Sequence, residues 1–84
     1  VGTKNIVEAN WLKVFPNPTS DGWISISKPA DVNIIAINIY DFTGRLVKEV
    51  KNGFGQVRLP EHGGLFLLEV ETERGRVVRK ILRD

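Results

Sequence analysis

His62 is the single imidazole in this 84-residue chain, so acid–base or metal chemistry must be built around it or without it. A zinc site needs three or four ligands at a recognisable spacing. Only Glu61 is adjacent, inside the turn-like stretch Pro60-Glu61-His62-Gly63-Gly64. A solvated turn residue is therefore the expected role of His62. Ser20, Ser25 and Ser27 could formally complete a Ser-His-Asp set, yet none stands in a Gly-x-Ser-x-Gly elbow. Turn formation and solvent-facing strand positions explain them better. Gly53-Phe54-Gly55 opens a dinucleotide fingerprint and fails at its third glycine. Asp21, Asp31, Asp41, Glu49, Glu69, Glu71 and Glu73 are scattered, whereas calcium needs several oxygens converging on one centre. Glu69 and Glu71 alternate with Phe66, Leu68 and Val70, which predicts a solvated sheet face rather than a glycosidase pair. Phe15, Trp11, Trp23 and Tyr40 could stack on a sugar if they shared an exposed face, but in so small a domain they are expected in the core. No metal, no cofactor and no catalysis are expected.

One charge pattern remains. Arg74, Arg76, Arg79, Lys80 and Arg83 crowd the last eleven residues against Glu73 and Asp84. Charge on a terminal strand protects an edge from unwanted pairing. It also suits a recognition strand held by main-chain pairing with its charges aimed at a partner. Both readings stay open, and the same residues could serve both.

The elements that would position these residues are short. Leu12–Phe15 alternates and stops at Pro16-Asn17-Pro18, where two prolines remove ladder donors. Thr19-Ser20-Asp21-Gly22 reads as a turn, and Trp23–Ser27 alternates strictly. Val32–Tyr40 is the strongest strand, apolar on both faces in its first half and so expected at the centre of a sheet. Asp41-Phe42-Thr43-Gly44 is a hairpin-type turn. It is followed by Arg45–Val50 with Leu46 and Val50 as anchors, an Asn52-Gly53 turn, and strands over Phe54–Leu59, Leu65–Thr72 and Arg76–Leu82. Seven strands at spacings of roughly 8–12 residues, without a helical period, predict an all-β, immunoglobulin-like antiparallel β-sandwich. Ile35, Ile37, Ile39, Phe66, Leu68 and Val70 are its expected core.

Length and composition set the remaining bounds. One small domain fits, burying roughly 60–65% of its extended-chain surface. Without cysteine it must rest on packing alone. A net charge of +2 argues for neither nucleic acid nor an acidic membrane as partner. No apolar run approaches the roughly 20 residues that span a bilayer. Val1-Gly2-Thr3-Lys4 does not open a leader of charged and then apolar residues, and the missing initial methionine suggests a piece of a longer precursor.

Three stretches together resemble the type A C-terminal sorting domain of the type IX (Por) secretion system of certain Gram-negative bacteria. Leu12-Lys13-Val14-Phe15-Pro16-Asn17-Pro18 with Thr19–Gly22 is similar to the family's opening. Ile37–Tyr40 with Asp41-Phe42-Thr43-Gly44-Arg45-Leu46-Val47 is similar to its strand, Asp-x-x-Gly-Arg turn and returning strand. Leu59-Pro60, Gly64–Val70, Gly75 and Lys80-Ile81-Leu82 are similar to its closing strands. Each motif alone is ordinary turn chemistry; their order and spacing over residues 12–83 are specific. Phe66 stands where the family usually has tyrosine, and the loop after Pro60 is longer than usual.

The resemblance implies a secretion signal and no enzyme. Cargo made with its own signal peptide crosses the inner membrane and folds in the periplasm. An outer-membrane translocon with its shuttle components then recognises the domain and delivers the cargo to the cell surface or medium. A sortase-like protease removes the domain and joins the cargo to an anionic lipopolysaccharide. The implied organisation is a linker or cleavage-region tail over residues 1–10 and the sorting domain over residues 11–84. Pro16, Asn17, Pro18, Asp41, Gly44, Arg45, Gly64, Phe66, Gly75 and Lys80 are the implied sorting-motif residues, and residues 64–84 the segment expected to be recognised. The competing expectations are a carbohydrate-binding or adhesive sandwich, which needs Trp11, Trp23 and Tyr40 on one exposed face, and a plain spacer domain.

Overall fold

In the computed structural model, residues 9–84 are described, and the greater part of the expected 1–10 tail lies outside them. Seven strands form: β1 (Lys13–Phe15), β2 (Trp23–Ser27), β3 (Ile34–Asp41), β4 (Leu46–Val50), β5 (Gln56–Arg58), β6 (Gly64–Thr72) and β7 (Gly75–Arg83). They make two sheets, β1-β2-β5 and β4-β3-β6-β7, antiparallel throughout. This order is immunoglobulin-like, with the fourth strand placed beside the third in the larger sheet.

The two inner faces bury one core. Leu12, Ile24, Val57 and Leu59 meet Ile37, Ile39, Phe66, Leu68, Val70, Val77 and Ile81, all nearly inaccessible to water. Alternation delivers these residues because period-2 side chains of a strand reach opposite faces. Ala9 is buried with them, so packing begins ahead of β1.

Two irregularities correct the expected core. Ile35 is 52% exposed, because the β3–β6 pairing slips between Ile34 and Ala36. A bulge of one residue exchanges faces, so Ile34 packs on the core in its place. In β4 the anchor is not Leu46. Tyr40 pairs with Leu46 and Ile39 with Lys48, leaving Val47 as the extra residue turned onto the core.

The aromatic side chains also depart from expectation. Phe15 and Trp23 are 50% and 45% exposed, since β1 and β2 turn Val14, Ile24 and Ile26 inward instead. Arg58 covers the Trp23 ring at 5.7 Å, a cation–π contact from the neighbouring strand β5.

Candidate functional site

β7 is an edge strand, and the loop after β1 closes part of its open side. Between two cis prolyl bonds, the Asn17 carboxamide docks on the β7 main chain. Its Nδ2 donates to the Lys80 carbonyl at 2.8 Å, and its Oδ1 accepts the Leu82 N–H at 3.0 Å. A carboxamide offers one donor and one acceptor side by side, as a peptide group does, so Asn17 stands in for a neighbouring strand. Thr19 continues the pairing: its N–H donates to Leu82 and its carbonyl accepts from Asp84, an isolated parallel bridge to β7.

The Thr19–Gly22 turn is tied internally. Thr19 Oγ1 accepts the Gly22 N–H and donates to the Trp23 carbonyl, and Asp21 Oδ1 accepts the Trp23 N–H. That last bond holds the Asp21 carboxyl below the usual carboxylate range. The Arg83 side chain lies against this turn and donates to the carbonyls of Leu59 and Pro60. The end of β7 is thus bound by the Pro-Asn-Pro loop on one side and the Leu-Pro loop on the other.

A second cluster lies at the same end of the sandwich. Asp41 is nearly buried, and its Oδ1 accepts the backbone N–H groups of Thr43 and Arg45 and the Thr43 hydroxyl. Its other oxygen meets Arg45 Nε at 3.3 Å. The Thr43 hydroxyl, then the Arg45 amide, hold the Asp41 carboxyl low. Gly44 follows at φ 90°, closing the turn with its N–H on the Asp41 carbonyl. Asp41 pairs with Phe66 across the sheet, and Gly64 pairs with Arg83. A cleft of about 430 Å³ opens between this turn and the β5–β6 loop, lined by Asp41, Arg45, His62, Gly64 and Phe66 among others.

The ten motif residues therefore fall into three groups. Pro16, Asn17, Pro18 and Lys80 meet at the β7 edge. Asp41, Gly44, Arg45, Gly64 and Phe66 frame or adjoin the cleft beside it. Gly75 lies apart at the β6–β7 hairpin, where its carbonyl accepts the Thr72 hydroxyl. Phe66 and Gly75 are buried, whereas Pro16, Asn17, Pro18, Arg45 and Lys80 are exposed. Thr19, Leu82 and Arg83 complete the pole; the sequence placed them in a turn, a closing strand and a basic cluster, but not in contact, because bonds across more than 60 residues, such as Leu82 to Asn17 and Thr19, leave no local signal.

Beyond the pole, the outward face of the four-stranded sheet has two characters. Across it run Leu46, Tyr40, Leu67 and Lys80 in one row and Leu65 beside Leu82 in the next, with Phe42 exposed at the turn. Farther along, Glu69 is not freely solvated as expected: its side chain is 12% exposed and pairs with Arg76 at 3.0 Å. Burial beside Glu69 raises the Tyr40 phenol above its ordinary value.

Chemically, the pole offers hydrogen bonding and apolar contact. Among the described residues, no three His, Cys, Asp or Glu side chains come together as metal ligands. His62 is exposed and rests 5.3 Å from the Phe66 ring. Trp23 lies on the three-stranded sheet, Tyr40 on the other, and Trp11 under Arg74 of the β6–β7 turn. The three aromatics do not form one platform.

Residues 13–83 match the family model described as a secretion system C-terminal sorting domain. No curated protein matches the chain at a significant level.

Proposed function

Because the chain belongs to the family of type IX secretion C-terminal sorting domains, we propose that its closed pole is the address read by the outer-membrane translocon and its shuttle components. The family places the domain among export signals for the cell surface or the medium, interacting with the type IX machinery. The observation that carries the finer reading is convergence. Nine of the ten motif residues gather at one end of the sandwich around the last strand, although they come from four separate stretches of sequence.

In this reading, cargo precedes the domain, passes through the periplasm folded, and is carried to the surface. A sortase-like protease, working through a cysteine of its own, cuts in or before residues 1–10 and passes the cargo to an anionic lipopolysaccharide. Residues 11–84 act as the independently folding signal. Burial of Ala9 and its carbonyl's bond to Arg79 Nη2 at 2.7 Å favour a scissile bond ahead of it, since proteases need an accessible, extended chain.

The test fuses residues 1–84 behind a folded periplasmic reporter in a host with this secretion system. Lys80→Glu combined with Leu82→Asp changes exposed side chains of β7 without touching its buried residues. Loss of surface reporter, with folded reporter retained in the periplasm, is expected. Undiminished surface delivery would refute the pole as the address.

A further inference from the structure

The polar half of the outward sheet face holds a second cleft, of about 320 Å³, lined by Asn38, Tyr40, Leu46, Glu49, Glu69, Glu71 and Arg76. Three cross-strand rows build it: Asn38 lies between Glu49 and Glu69, Tyr40 between Leu46 and Leu67, and Glu71 opposite Arg76. Its volume is near the lower end of ligand-pocket sizes.

The cleft carries three carboxylates against the Arg76 guanidinium, and Glu49 also meets Lys51 at 3.6 Å. Glu69 Oε1 accepts from Asn38 Nδ2 at 2.9 Å and from the Tyr40 hydroxyl at 3.3 Å, and Glu71 Oε2 accepts from the same Nδ2 at 3.2 Å. Asn38 is 8% exposed, and its Oδ1 has no hydrogen-bond partner among the described residues. Among the described residues, Arg76 Nε is a buried side-chain donor without a partner. The site is formally negative, with more carboxylates than cations among its lining residues. Such an imbalance suits a group with donors only, which among side chains means ammonium or guanidinium.

We infer that this cleft seats a lysine or arginine side chain of a partner polypeptide, its aliphatic stem along Tyr40 and Leu46 and its charged end among Glu49, Glu69 and Glu71. Long basic side chains pair an apolar stem with a charged tip in this way. A polypeptide is the occupant because Tyr40 and Leu46 of the cleft belong to a row that continues through Leu67 and Lys80, beside the exposed pair Leu65 and Leu82. A free cation would leave those rows uncovered, whereas a chain with apolar residues beside its basic one covers both. Acidic partners are rejected by the same carboxylates. The inference rests on the sorting reading, naming the chemistry of one partner contact, but it concerns residues outside the motif pole.

The test titrates isotope-labelled protein with acetyl-Leu-Arg-Leu-amide and with its citrulline counterpart, the same shape without the charge. Saturable shifts of the Asn38 side-chain amide and the Tyr40 and Glu69 backbone amides are expected with the arginine peptide, with about tenfold weaker binding for citrulline, the scale of one charge-assisted hydrogen bond. Glu71→Gln, whose side chain accepts only from Asn38, is expected to fold normally and lose most of that preference. Glu49→Gln, on the strand across the cleft, is a second variant with the same expectation. Equal shifts from both peptides, or shifts confined to the pole, would overturn the seat. If Glu71→Gln loses the peptide yet delivers the fused reporter fully, the machinery does not use the seat. That result overturns the inference and leaves the sorting reading standing.

Discussion

The guanidinium of Arg83 fills the space that a side chain at Gly22 would occupy: a Cβ built there lies 2.7 Å from Arg83 Cζ. Gly22 also holds φ at +84°, a region costly for other residues. Gly22→Ala is expected to destabilise the domain by about 1–3 kcal/mol and to displace Arg83 from the Leu59 and Pro60 carbonyls. Urea unfolding measures the loss. Because the two residues compete for one space, adding Arg83→Ala should cost less than the sum of the single changes.

Asn17→Ala removes both bonds to the β7 edge. At roughly 0.5–1.5 kcal/mol for each hydrogen bond, a loss of about 1–3 kcal/mol is expected. Hydrogen exchange is the sharper readout. The Leu82 amide should exchange faster, while the Ile81 amide, facing β6, should keep its protection. Unchanged exchange at Leu82 would contradict the strand-mimicking role of Asn17.

The bulge in β3 makes neighbouring isoleucines unequal. Ile37→Ala opens a cavity in the sealed core and should cost about 2–5 kcal/mol. Ile35→Ala, on the solvent side, should stay within about 0.5 kcal/mol of the parent. Thermal or denaturant unfolding of the two variants decides it, and equal losses would argue against the Ile34–Ala36 slip.

Asp41 links stability to acid. Its folded carboxyl is held low by the Thr43 hydroxyl and the Arg45 amide, so the native state prefers the ionised form. That contribution is complete above the unfolded carboxylate value, about 4. It is lost as pH falls through the lower folded value. The melting temperature should therefore drop from about pH 4 downward. Asp41→Asn should be less stable than the parent near neutrality and converge with it in acid. Asp21, held low by the Trp23 amide, keeps some acid slope in the variant.

Much of this fold was legible because its signals are local. Alternation in Trp23–Ser27 and Leu65–Thr72, and the turn chemistry of Thr19–Gly22, Asp41–Gly44 and Asn52-Gly53, placed all seven strands to within a residue or two. Bulges escaped notice. Alternation cannot reveal where one residue drops out of register, so Ile35 was expected inside and Val47 was passed over for Leu46. Trp23 misled for another reason: size predicts burial on average, but strand parity decides the face, and Ile24 claimed the inside. The pole was visible only as separate motifs. That Asn17 serves Lys80 and Leu82, and Arg83 serves Leu59 and Pro60, follows from strand order, which no short window encodes.

The bond from Asn17 to Lys80 spans 63 residues, and that from Arg79 to Ala9 spans 70. Contacts of such separation meet their loop-closure entropy before any bond offsets it, and so form late. A chain emerging from its N-terminus can assemble the turn of Thr19–Gly22 and the β3–β4 hairpin, but it cannot close the pole before β7 arrives. Completion of the fold therefore certifies that the reading frame has run through to Arg83. A product truncated even ten residues early would carry most of the motifs and still leave the pole open.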